Sequence, residues 1–189
     1  YISIVDRVNQ PIPAHQGVGL ARKIGADIAL QLISAGQIEK NVIYSTDADV
    51  VLPPGYFQAP TGHAAAWIFP FTHKSTNTSV ARLSLLYELS MRYYVDRLES
   101  AYSPYAYHTL GSCLAIDAVS YAQVRGFPPR NAAEDFYLLN KIAKIGEIHR
   151  LKKPVIEIQA RLSTRVPFGT GPALAKIPRD EASYQTYAP

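Results

Sequence analysis

Two stretches of this chain repeat apolar residues every three or four positions, and short apolar runs of strand length stand around them. Leu20, Ile24, Ile28 and Leu32 mark the first, so a helix is predicted from about Val18 to Ala35, ended by Gly36. Val80, Leu83, Tyr87, Met91, Tyr94 and Leu98 mark the second, over Thr78 to Glu99, and this stripe reads as core packing. Residues 2–5, 41–45, 64–69, 112–116, 147–151 and 154–159 read as strands. Shorter helices are predicted after Pro53-Pro54-Gly55, near 118–124, and from Ala133 to Ile145, where Gly146 stops the pattern. Strands that alternate with helices point to α/β architecture. One domain is expected over 1–171, with 172–189 as an irregular tail.

Composition narrows the function classes. A chain of 189 residues can bury a real core, and 48% hydrophobic against 18% charged residues excludes a disordered chain. No apolar run reaches the length of a membrane span and no signal peptide is legible, so membrane association is not evident and a cytoplasmic location is expected. The chain opens at Tyr1 on Ile2-Ser3-Ile4-Val5, a strand-like run, which leads us to expect a natural portion ahead of it. The net charge of +4 is scattered in short pairs such as Arg22-Lys23 and Lys152-Lys153. That pattern lacks the basic face with stacking aromatics that nucleic acid requires. The single cysteine, Cys113, excludes an intrachain disulfide and a cysteine-based zinc site, and its apolar strand makes it a packing residue.

The chemistry concentrates in two acidic pairs. Asp47 and Asp49 follow the predicted strand 41–45, and ligands of open α/β sheets gather at the carboxyl ends of strands. Paired carboxylates there suit Mg²⁺ or Mn²⁺, which takes oxygen ligands and shares itself with substrate phosphates; aspartates after strands also cap helices and make turns. Glu134 and Asp135 open the predicted helix at 133. Asn131 and Glu134 have capping-box spacing, so Glu134 is either a cap or a functional acid. A carboxylate at 135 is a candidate general base for an acceptor hydroxyl. Among the histidines, which show no metal-ligand spacing, His108 and His149 are candidate donor contacts. Tyr102, Tyr105 and Tyr107 form an aromatic loop suited either to packing or to stacking on a sugar ring.

Three segments together resemble the inverting, family 2-like glycosyltransferases of the GT-A fold. Gly17-Val18-Gly19-Leu20-Ala21-Arg22-Lys23 is similar to the family's Gly-x-x-x-Ala-Arg helix, and Tyr44-Ser45-Thr46-Asp47-Ala48-Asp49 to its Asp-x-Asp strand end. Gly111-Ser112-Cys113, Gly126-Phe127-Pro128 and Glu134-Asp135-x-x-Leu138 are similar to its acceptor-side segment and Glu-Asp motif. The resemblance implies a Rossmann-like mixed sheet flanked by helices, and a metal-dependent hexosyltransferase that moves a sugar from a nucleoside diphosphate sugar to a hydroxyl with inversion. It further implies Asp47 and Asp49 at the metal and donor diphosphate, and Asp135 as the catalytic base, with Glu134 beside it as a further catalytic residue. Gly111 and Ser112 would border the substrate pocket, with Arg22 and Arg165 as further donor-binding residues. The family's first strand and helix are not found upstream of Tyr1, Lys23 stands where many relatives carry Asn, and the Gln-x-x-Arg-Trp type motif is absent. Arg161, Arg165 and the Gly169-Thr170-Gly171 turn occupy that stretch instead and suit either diphosphate or a solvated turn.

Two rival readings use the same residues. Asp47-Ala48-Asp49-Val50-Val51 fits the first motif of haloacid-dehalogenase-like phosphatases, although that motif belongs on an opening strand. A GT-A-like domain that binds nucleotide or carbohydrate without turnover is the other.

Overall fold

The computed structural model describes residues 2–162 and 170–177. It is an α/β structure with two mixed or antiparallel sheets and flanking helices. Where the sequence suggests one domain, the backbone gathers into two compact units, each with its own sheet and core. Among the described residues no helix is long and apolar enough to cross a membrane.

The first unit draws on residues 1–46, 60–68 and 109–149. Its sheet has the order β1 (Val42–Ser45), β5 (Leu114–Asp117), β3 (Ala66–Ile68), β6 (Ile148–Arg150). β5 runs antiparallel to both β1 and β3, with Ser45 opposite Leu114 and Ile68 also opposite Leu114. Leu114, Ala115 and Ile116 are wholly buried, which explains why this central strand reads as a continuous apolar run rather than an alternation. Helix α1 (Gly17–Ser34) packs on β1, on α3 (Ala118–Gln123) and on α4 (Glu134–Ile142). Gly36 ends α1 as predicted: it adopts φ +69°, and the N–H of Gln37 reaches back to the Leu32 carbonyl. Asp117 starts α3 by accepting from the Ser120 N–H at 2.8 Å. Leu138, Leu139 and Ile142 fix the inner face of α4 at full burial.

The second unit draws on residues 47–59, 69–108, 150–162 and 170–177 among those described. Its sheet has the order β2 (Val50–Val51), β7 (Ile156–Gln159), β4 (Phe71–Lys74), with β2–β7 antiparallel and β4–β7 parallel. A one-turn 3₁₀ helix, Tyr56–Gln58, follows the Pro53-Pro54-Gly55 turn. Helix α2 (Thr78–Ser100) begins on Asn77, whose side chain accepts from the Val80 N–H at 3.0 Å. Its buried residues are Val80, Ser84, Glu88 and Val95, while Tyr94 is half exposed, so the buried column is rotated from the predicted apolar stripe. Polar residues enter that column because they are satisfied inside it: Ser84 Oγ donates to the Val80 carbonyl at 2.7 Å, and Glu88 accepts from His73.

Two further expectations are corrected. Residues 2–5 form no strand, and Ile2 and Ile4 stay 93% and 85% exposed, because an apolar run gains strand structure only with a neighbouring ladder to pair with. Residues 172–176, expected to be irregular, belong to helix α5 (Thr170–Lys176). That helix packs on α2 through Leu174, which joins Val80, Ala160 and Ile177 in a small core.

Candidate functional site

In the first unit, Arg22 organises the residues that the sequence had selected. Its position near the start of α1 depends on Gly19, whose N–H donates to the Arg130 carbonyl at 2.8 Å. A Cβ at Gly19 would lie 2.3 Å from the Pro128 carbonyl oxygen, so only glycine lets the helix approach the loop ahead of α4 this closely. From there the guanidinium Nε donates to Glu134 Oε1 at 2.8 Å, and Nη1 donates to Ser45 Oγ at 2.9 Å and to the Thr46 carbonyl at 3.4 Å. Ser45 Oγ in turn donates to the Gly111 carbonyl at 2.8 Å. The Arg22 and Glu134 side chains are 11% and 6% exposed, so the pair is desolvated and held by geometry.

This network decides what Glu134 does. The residue at the N-cap of α4 is Ala133, in the left-handed region at φ +60°, and it makes no side-chain cap. The capping-box reading of Asn131 and Glu134 therefore fails: the Glu134 carboxylate is spent on Arg22, a partner distant in sequence and close in space. Gly111 also has a structural reason to lack a side chain. The group that fills the space beside it is the Arg22 guanidinium, which a Cβ at 111 would meet at 2.6 Å. Ser112 is buried next to it, with its hydroxyl 3.7 Å from Cys113 Sγ, and Cys113 is fully buried as a packing residue.

Asp135 is left as the titratable acid of this cluster. Burial, and then the neighbouring Glu134 carboxylate, push its pKa up from 3.8 to about 6. The N–H groups of Phe136 and Gly111 and the charge of Arg22 work against that rise. The Phe136 N–H donates to Asp135 Oδ1 at 2.7 Å. A carboxylate at about 6 is ionised at neutral pH yet markedly more basic than a solvated aspartate, which is what proton abstraction needs.

Sequence reasoning passed over the residues that follow it. Phe136 and Tyr137 are 46% and 42% exposed, with ring centroids 5.3 Å apart and planes at 83°. The Arg130 guanidinium lies 3.9 Å above the Tyr137 ring. The available signal was two adjacent aromatics outside the apolar face of an amphipathic helix.

In the second unit, Asp47-Ala48-Asp49-Val50 forms a tight turn, with the Val50 N–H donating to the Asp47 carbonyl at 3.3 Å. The turn leads directly into β2. Asp49 Oδ2 is 2.6 Å from Arg161 Nη2 in an exposed ion pair. Among the described residues no group of three or more His, Cys, Asp or Glu side chains gathers as a metal set. Asp47 and Asp49 share this turn, and carboxylates are the ligand type that Mg²⁺ or Mn²⁺ takes together with water and substrate phosphate. Arg165 lies outside the described residues.

The histidine candidates resolve into structural settings. His108 packs edge-on against Phe71 at 5.1 Å, and burial lowers its pKa to about 4. His149 is exposed beside Glu147, with Nε2 3.1 Å from Oε2. A histidine not singled out from the sequence, His73, is fully buried between Glu88 and Thr170, with ring nitrogens 3.1 Å from each. It links β4, α2 and α5 within the second unit, and burial lowers its pKa against the pull of Glu88. Of the aromatic loop, Tyr107 is buried and packs at 6.5 Å from Tyr105, whereas Tyr102 is almost wholly exposed.

Comparison of the chain with protein-family models, with curated proteins and with solved structures finds no match.

Proposed function

We propose that the chain is the catalytic part of an inverting glycosyltransferase of GT-A type, transferring a sugar from a nucleoside diphosphate sugar to an acceptor hydroxyl. The observation that carries this reading is the Asp135 environment. One carboxylate, Glu134, is neutralised by Arg22, and the next makes no ion pair among the described residues and is raised by burial to a pKa of about 6 beside the Gly111 amide. Such an arrangement prepares a single base and removes its neighbour from the chemistry.

In the proposed reaction the acceptor oxygen attacks the anomeric carbon from the face opposite the leaving group. Its proton passes to Asp135 as the bond to the nucleoside diphosphate breaks, and the sugar leaves with inverted configuration. By the sequence resemblance, Asp47 and Asp49 would hold a Mg²⁺ or Mn²⁺ ion, whose chemistry is positive charge against a diphosphate. No Ser or Cys nucleophile is required, in keeping with the burial of Cys113.

Asp135→Asn is expected to reduce transfer by at least about 10²-fold, the scale of a lost general base, while manganese-dependent binding of UDP or GDP persists by calorimetry. Near-normal transfer by this variant would remove Asp135 from the mechanism. Tight nucleotide binding by the unmodified chain without transfer or hydrolysis would favour the non-catalytic reading. The phosphatase reading gains nothing from the structure, since Glu134 and Asp135 open a helix rather than follow a strand.

A further inference from the structure

We propose that Phe136, Tyr137 and Arg130 form a saccharide-binding platform, so that the acceptor is itself a sugar ring. The inference rests on Asp135 being the base of a sugar transfer. It adds the class of acceptor, which neither the acidic pairs nor the fold specifies.

The partial exposure of two adjacent large aromatics is the starting point. The core face of α4 is made by Leu138, Leu139 and Ile142, while Phe136 and Tyr137 are 46% and 42% exposed. They occupy the two positions directly after Asp135, and they are ordered: the rings meet edge to face, and Arg130 stacks on Tyr137 at 3.9 Å.

The chemistry of that surface selects its ligand. A pyranose presents a face of C–H groups that packs on an aromatic ring, and a rim of hydroxyls that needs hydrogen-bond partners. Phe136 supplies the ring, since one face of Tyr137 is taken by Arg130. The guanidinium offers several N–H donors in a fixed plane, and the Tyr137 hydroxyl can donate or accept. Asp135, the base proposed above, precedes Phe136 in the first turn of the same helix. An alkyl chain would find a charged guanidinium on the same small surface, which makes a lipid tail a poorer fit.

The test is saturation-transfer NMR on the full chain with cellobiose, chitobiose and maltose, and with uridine and octyl glucoside alongside. At least one disaccharide should receive saturation on its pyranose ring protons, with millimolar affinity. Phe136→Ala should weaken that binding by about fivefold to tenfold, the scale of one aromatic contact, and Phe136→Tyr should restore it. Both substitutions are at an exposed position, and an unchanged melting temperature checks that the fold is intact. Asp135→Asn should leave disaccharide binding within about twofold while transfer is lost. Retained transfer in that variant would sink the base assignment but not the platform. Absence of any disaccharide signal, a signal indifferent to Phe136→Ala, or binding confined to uridine or to the octyl chain would overturn the platform.

Discussion

At the residue scale, the chain's acidic groups are distinguished by their partners and not by their type. Glu134 and Asp135 are adjacent and chemically alike, yet one is locked to Arg22 and the other carries a pKa of about 6. Arg22→Ala would leave the Glu134 carboxylate buried without its counter-ion. Removal of one partner from a buried pair costs about 3–5 kcal/mol, so chemical denaturation should show a loss of that order, largely relieved in an Arg22→Ala, Glu134→Gln double variant. A double variant as unstable as the single one would show that the charge is not the cause. Asp49 offers a contrasting case, because its pair with Arg161 is exposed and contributes about 0–1 kcal/mol. If Asp49 holds a divalent ion, Arg161→Ala should tighten Mn²⁺ binding in the absence of nucleotide by up to about fivefold. Calorimetric titration with Mn²⁺ measures this directly, and weaker binding in that variant would contradict competition at Asp49.

At the element scale, small residues and polar residues in helices carry more of the architecture than apolar periodicity suggests. Helix α1 is legible from its apolar spacing and its terminal glycine, but its placement depends on Gly19 lying against the backbone of residues 128–130. Gly19→Ala brings a methyl group into contact with carbonyl oxygens that cannot move far. It should destabilise by about 1–3 kcal/mol through overpacking, even though alanine favours helix by about 1 kcal/mol. A thermal melt that is unchanged or raised would mean the loop yields. The predicted stripe of α2 holds at Val80, Leu83 and Tyr87, which pack on the core, and misses the polar residues buried beside them. A hydropathy pattern treats Ser84 and Glu88 as solvent-facing, whereas Val80 and His73 satisfy them inside the unit. Short elements such as β2 and α5 carry too few residues to register a period, and they exist because β7 and α2 give them something to pair with and pack on.

At the scale of the whole molecule, pH should act on function and stability in opposite directions through Asp135. As a base the residue must be ionised, so kcat/KM for transfer should be flat above about pH 6.5 and fall roughly tenfold per unit below its pKa of about 6. Its folded pKa lies above its ordinary 3.8, so its contribution to stability is complete below about pH 4 and is lost as pH rises through about 6. Asp135→Asn should therefore raise the melting temperature at pH 7.5 more than at pH 4, while removing the limb of the rate profile. A rate profile without a limb near pH 6, or a variant that melts lower at neutral pH, would show that the site is not poised in this way. Helices α1 to α4, the strands β1, β3, β5, β6 and β7, the α/β class and the two acidic pairs were legible in the sequence by itself, because apolar period and residue chemistry are local properties. Tertiary structure alone decided that Glu134 pairs with Arg22, that Gly111 makes room for a guanidinium, that residues 2–5 form no strand, and that Phe136 stays partly exposed. Each of those outcomes depends on which distant group desolvates, pairs with or covers a residue, and that information resides in contacts between segments far apart in the chain.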